Sequence, residues 1–267
     1  MAAIQFSWPE GKEGAFTSSW DDGTIYDYQL VELFNQRGLK ATWNLNSGLF
    51  RERSGSSRYI RADEVAHLYK GHEVACHTVT HPHLDAIPTA QITRELLEDR
   101  RALEKLVAYP VRGLALPYGA YNQKVLDCCR ACDLLYSRPT KLSDGFGLPA
   151  SFLEWYPTCH HNSGLVQKWE EFKKNKTQDK LFFAWGHSYE FDREHNWDLI
   201  ASFLDTLQAD PKIWAATNME VYEYVSAWRS LACSVEGDVL RNVTSEKLWV
   251  RADGELVTIG AGEVVRL

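Results

Sequence analysis

Two adjacent carboxylates, Asp21 and Asp22, stand in the run Thr17-Ser18-Ser19-Trp20-Asp21-Asp22-Gly23-Thr24. At the end of an apolar stretch, one can hold a metal ion while the other stays free, and Gly23 lets the chain turn away sharply. An isolated Asp-Asp-Gly also serves as a turn or helix cap, so the pair needs company to mean chemistry. That company is His77-Thr78-Val79-Thr80-His81-Pro82-His83. Two imidazoles four residues apart at a strand end can turn to one point, as nitrogen donors for a borderline metal do. Asp22 would then complete a set of two His and one carboxylate with positions left open for water and substrate. A further imidazole, His187, follows the apolar run Leu181 to Trp185, where it serves either as an acid or as a structural group.

The elements that must carry these residues alternate in type. Short apolar runs (Ala15 to Trp20, Ala41 to Leu45, Glu73 to His77, Gly113 to Leu116, Leu135 to Ser137, one ending near Thr158, Leu181 to Trp185, Ile213 to Thr217) are separated by helical patterns. Those helices are expected over Tyr26 to Arg37, Ala62 to Tyr69, Pro88 to Leu106, Gln123 to Ala131, Gly164 to Asn175, Trp197 to Ala209 and Met219 to Ser230. The pattern predicts an α/β fold, a distorted (β/α) barrel of seven or eight parallel strands, with its chemistry at the carboxyl ends of the strands. After Ser230 short alternating stretches begin, Ser234 to Leu240, Lys247 to Arg251, Glu255 to Ile259 and Glu263 to Leu267, with Ala252-Asp253-Gly254 as a hairpin turn. The expected organisation is therefore a barrel over 1–230 and a small C-terminal β appendage over 231–267, packed on it.

In this order the motifs resemble those of the polysaccharide deacetylase family of carbohydrate esterases, which share the NodB homology domain. Ser19-Trp20-Asp21-Asp22-Gly23 resembles its Thr-Phe-Asp-Asp-Gly motif, and His77 to His81 its His-Ser/Thr-x-x-His motif. Leu116-Pro117-Tyr118-Gly119 resembles its Pro-Tyr-Gly turn, and His187 its late Leu-x-x-His residue. The resemblance spans Ala15 to Thr217. It implies hydrolysis of an N-acetyl, sometimes O-acetyl, group with a divalent metal, zinc first, with cobalt, nickel or iron also suited to the donor set. By position it implies Asp21 as general base, Asp22, His77 and His81 as metal ligands, His187 as general acid and the Tyr118 backbone N–H as oxyanion donor. Pro117, Arg138, Trp155, His160 and Glu190 are expected to contact substrate, with Asn46 near the same strand ends.

Two departures stand out. The family usually has Arg two residues before the Pro of Pro-Tyr-Gly, where this chain has Ala115. It also commonly shows Asp-x-x-Asp-Trp, of which only Glu154-Trp155 is recognisable. Arg138, at another expected strand end, could replace the missing guanidinium or be an ordinary surface residue.

Composition limits the alternatives. The chain has 267 residues and a formal net charge of −7 without long like-charge runs, which gives nucleic acid no electrostatic footing. No stretch is long and apolar enough to span a bilayer, so no membrane partner is expected, and MAAIQFSWPEGKEG lacks the pattern of a signal peptide. The expected compartment is the cytoplasm and the expected substrate a small acetylated sugar or amide; oligomeric state is left open. The six cysteines are expected to be free thiols, and Cys129-x-x-Cys132, within a helical pattern, to be packing residues. Two rivals remain: a cyclic-amide hydrolase on the same barrel, which the metal-ligand pattern disfavours, and a catalytically silent carbohydrate-binding protein, for which Ala115 is the best hint.

Overall fold

A computed structural model describes residues 4–50 and 58–267. Strand β1 (Ile4–Ser7) leads through a tight turn to β2 (Gly14–Asp21), whose eight residues are all buried. Helix α1 (Asp27–Asn35), strand β3 (Thr42–Leu45), the one-turn helix α2 (Val65–Leu68), strand β4 (Glu73–Cys76) and helix α3 (Thr89–Val107) follow. Next come β5 (Gly113–Ala115), α4 (Gln123–Ala131), β6 (Tyr136–Arg138), β7 (Cys159–His160), α5 (Leu165–Lys174) and β8 (Leu181–Gly186). The barrel part closes with α6 (Ser188–Arg193), α7 (Trp197–Gln208), β9 (Ile213–Ala215) and α8 (Asn218–Arg229).

The strands form one curled parallel sheet, as the alternating pattern predicts, and their order is β6-β5-β4-β3-β2-β8-β7 with β9 beside β2. β2 is its axis. β8 pairs along Ala15 to Trp20 on one edge, while the other edge is shared between β9 at Gly14 to Phe16 and β3 at Ser19 to Asp21. Between β6 and β7 runs an extended segment, tied to β6 by the Trp155 N–H on the Ser137 carbonyl (3.0 Å) and to β8 by the Thr158 N–H on the Phe183 carbonyl (2.8 Å). The helices cover the outside through apolar stripes. In α3, Ile92, Leu96 and Leu103 recur at helical spacing and are buried, and the helix stops where Ala108 turns left-handed (φ 59°) two residues before Pro110. No helix among the described residues is long and apolar enough to cross a membrane.

The remaining strands are β10 (Ala232–Cys233), β11 (Val239–Arg241), β12 (Leu248–Ala252), β13 (Glu255–Ile259) and β14 (Val264–Arg266). They make two antiparallel sheets, β10-β11-β14 and β1-β12-β13. Two details differ from the sequence reading. The stretch Ser234 to Leu240, read as one strand, folds back at Gly237 (φ 75°), and the unexpected β1 pairs with β12, Phe6 opposite Val250. A four-residue strand whose partner lies some 240 residues away leaves no local periodic signal. Asn242, which opens the Asn-x-Thr pattern Asn242-Val243-Thr244, is buried and donates to the carbonyls of Glu246 (2.6 Å) and Gly260 (2.9 Å).

Of the six free cysteines, only Cys233 is exposed. Burial pushes the Cys129 and Cys159 thiols up to about 12, so they are packing groups and not thiolate nucleophiles.

Candidate active site

Asp21, His77, Arg138 and His187 lie at the carboxyl end of the sheet, because parallel pairing brings those ends level. Asp21 pairs with Asn44, Leu45 with Cys76, Ala115 with Arg138, and His160 with Trp185. Asp21 is the last residue of β2, His77 follows β4, Arg138 ends β6, and His187 follows β8.

Asp22, His77 and His81 come together. Asp22 Oδ1 lies 3.6 Å from His77 Nε2 and 3.9 Å from His81 Nε2, and the two Nε2 atoms are 3.1 Å apart. An ion bound about 2.0–2.2 Å from each of three such donors holds them roughly 3–3.6 Å apart, so this set needs only a few tenths of an ångström of closure. His77 Nδ1 is 2.8 Å from the Ala115 carbonyl, which can only accept. The proton must therefore sit on Nδ1, leaving the Nε2 lone pair free to bind. The backbone around the set is unusual: Asp22, Thr78, His81 and Tyr118 all have positive φ (81°, 68°, 58° and 58°). Supports hold it there. Asp99, fully buried, accepts from the N–H groups of Ser47 (2.9 Å) and His77 (3.1 Å), and Asn46 donates to the carbonyls of His77 and Thr78. Asn46 is thus a structural clamp.

Asp21 faces a different partner. Arg138 Nη2 reaches both of its oxygens, Oδ1 at 2.6 Å, and Asn44 Nδ2 donates to Oδ1 at 2.7 Å. Burial opposes the charge on Asp21, but Arg138, then His77 and His187, outweigh it and hold its pKa at about 2. Arg138 is itself only 1% exposed and lies over the Trp185 ring, 4.5 Å from its centre. The surface alternative for this arginine is excluded. Its guanidinium comes from the strand beside the one that carries Ala115, in register with it.

The Pro117 to Gly119 turn follows β5. Tyr118 is 56% exposed, its ring stacked on His83 (3.9 Å, 6°) and edge-on to His81 (4.6 Å). Gly119 has φ 66°, and a Cβ there would sit 2.1 Å from Thr140 Oγ1 and 2.4 Å from the Thr140 nitrogen, so the turn demands glycine.

On the opposite side His160, His161 and His187 converge on Glu190. Oε2 lies 3.0 Å from His160 Nε2, 2.9 Å from His161 Nε2 and 3.0 Å from His187 Nδ1, and it accepts the His187 backbone N–H at 3.2 Å. The sequence achieves this by placing Glu190 three residues into α6, where its side chain caps the helix at His187. Burial would lower the His187 pKa, but the hydrogen bond to Glu190 and the charges of Asp21 and Asp22 raise it above the usual imidazole value.

Glu190 and His160, expected in contact with substrate, are therefore occupied with one another and with His187. Trp155, expected there too, is 2% exposed and packed against Tyr136, Phe152 and Phe183. An aromatic residue at a strand end fills the core as readily as it faces a ligand. Glu154 accepts from the Tyr121 hydroxyl (3.0 Å). His161 was not assigned a role from sequence, and only its adjacency to His160 marked it.

Residues 9–137 match the family model described as polysaccharide deacetylase. That stretch, just under half of the chain, is similar to the polysaccharide deacetylase family. A chitooligosaccharide deacetylase from Sinorhizobium fredii is 30% identical over 113 residues, 40% of this chain and 48% of that protein, so the match spans about half the relative's length. Solved structures resemble the fold of about four fifths of the chain. The carbohydrate esterase domain of a multidomain xylanase from the hindgut metagenome of Trinervitermes trinervoides superposes with a TM-score of 0.57 at 15% identity, covering 81% of this chain and 92% of that one. A family 4 acetyl xylan esterase from Clostridium thermocellum, solved with a cobalt ion, gives 0.54 at 11% identity, covering 78% and 90%.

Proposed function

We propose that this chain is a polysaccharide deacetylase family member, a divalent-metal-dependent hydrolase that removes an acetyl group from an N-acetylated, or O-acetylated, sugar or small amide. The observation that carries the reading is the meeting of Asp22, His77 and His81 at ion-binding spacing beside a separately paired Asp21. The curated relative that acts on chitooligosaccharides supports an acetylated sugar as substrate.

Asp22, His77 and His81 would hold the ion, zinc in our reading, which when bound polarises the acetyl carbonyl and makes the attacking water more acidic. Asp21 takes that water's proton. Its low pKa makes it a weak base, and Arg138 and Asn44 offset this by fixing one orientation, so that no reorganisation is needed at the moment of transfer. The Tyr118 N–H, on the strained turn beside His81, would donate to the oxyanion. His187, its pKa raised, gives a proton to the leaving nitrogen.

His77→Ala should lose the ion. Elemental analysis of this variant beside wild type checks it, and undiminished stoichiometric metal in the variant would refute the ligand set.

A further inference from the structure

We propose that Glu190 and His160 are positioning residues for His187, and that the three act as one proton-donating unit toward the leaving group. The inference rests on the deacetylase reading and assigns a part of that site which the family motifs do not supply, since Glu154 is turned to Tyr121.

The geometry fixes the tautomers. The Asn162 N–H donates to His160 Nδ1 (3.2 Å), so the His160 proton is on Nε2 and points at Glu190 Oε2. His161 Nε2 donates to the same oxygen, its ring fully enclosed against Phe191 and its Nδ1 without a partner. That ring needs the space above Gly186: a Cβ there would lie 2.0 Å from His161 Cδ2. A carboxylate oxygen that already accepts two imidazole N–H groups and a backbone N–H is kept ionised, and it is aimed at His187 Nδ1. Arg193 approaches the other oxygen at 3.4 Å. With Nδ1–H committed to Glu190, His187 presents Nε2–H to the substrate. Asp21 and Asp22 add their negative charge from the end of the neighbouring strand β2.

The step balances. Water adds to the acetyl carbon and gives its proton to Asp21; the carbon–nitrogen bond breaks as His187 Nε2 gives a proton to the leaving nitrogen. The cycle ends with acetic acid, which ionises to acetate in solvent, the amine, a protonated Asp21 and a neutral His187, and proton exchange with solvent restores both residues.

An amine leaving group needs the acid and a nitrophenolate does not. Glu190→Gln and His160→Gln should each lower kcat on an N-acetyl substrate about 10- to 100-fold at unchanged KM and metal content, while turnover of 4-nitrophenyl acetate stays within about twofold. Equal losses on both substrates, or no loss on the amide, would overturn the assignment. Nitrogen-15 NMR of histidine-labelled protein tests it without turnover. In its neutral form His187 should carry its proton on Nδ1 in wild type and lose that preference in Glu190→Gln, and a neutral wild-type His187 protonated only on Nε2 would refute the unit. Absence of acetate release from every substrate with this tautomer intact would instead count against the deacetylase reading.

Discussion

Asp21 and Asp22 are neighbours in sequence with separate surroundings, Arg138 and Asn44 for one, His77 and His81 for the other. Asp21→Asn should keep the metal and lose the base, lowering turnover by about 10² to 10⁴ at saturating substrate. Asp22→Asn should lower metal affinity, with activity partly restored by added metal. Metal analysis and turnover of the two variants side by side check both, and near wild-type turnover in metal-replete Asp21→Asn would remove Asp21 from the mechanism. What was legible at this scale follows from chain distance. Asp22, His77 and His81 sit in two short motifs, so spacing alone pointed to the cluster that they form. The Asp21–Arg138 pair joins residues 117 apart in the chain, and sequence could offer Arg138 only as a candidate. Trp155 was misplaced because residue type does not say which side of a strand end is core.

The strands and helices were readable from their periodicity because parallel strands buried on both faces appear as continuous apolar runs, as in Leu181-Phe182-Phe183-Ala184. The six-residue α6 escaped notice, though it carries Glu190. At this scale one buried imidazole links elements. His72 Nδ1 accepts the Ala41 N–H (3.2 Å) at the start of β3, and its Nε2 meets Asn35 Oδ1 (3.1 Å) at the end of α1. Burial, with Lys40 adding to it, pushes its pKa down to about 4. Between that value and the ordinary 6.5 of the unfolded chain the folded state binds fewer protons. The contribution is thus complete above 6.5 and is lost as pH falls toward 4, up to about 3 kcal/mol in all. Urea unfolding of wild type and His72→Asn from pH 7 to 4 should show the stability gap narrowing with acid. A gap that stays constant would show that His72 is not held neutral.

At the scale of the molecule the two ends of the described chain are sewn together. β1 lies against β12, and Phe6, Trp8, Tyr224, Leu240, Leu248, Val250 and Ile259 share one buried cluster under the barrel. Ending the chain at residue 230 should therefore leave β1 unpaired and that cluster open to water, giving a product that aggregates or melts well below wild type by calorimetry. Unchanged melting would mark 231–267 as a detachable appendage. The candidate site lies at the carboxyl end of the sheet, and the proposal that unites the account is that this site hydrolyses acetyl groups only with one ion bound. Chelated protein should be titrated with zinc while acetate release from an acetylated chitooligosaccharide is followed. We expect no release without metal and a linear rise that levels at one ion per chain; full-rate release from the metal-free protein would contradict it.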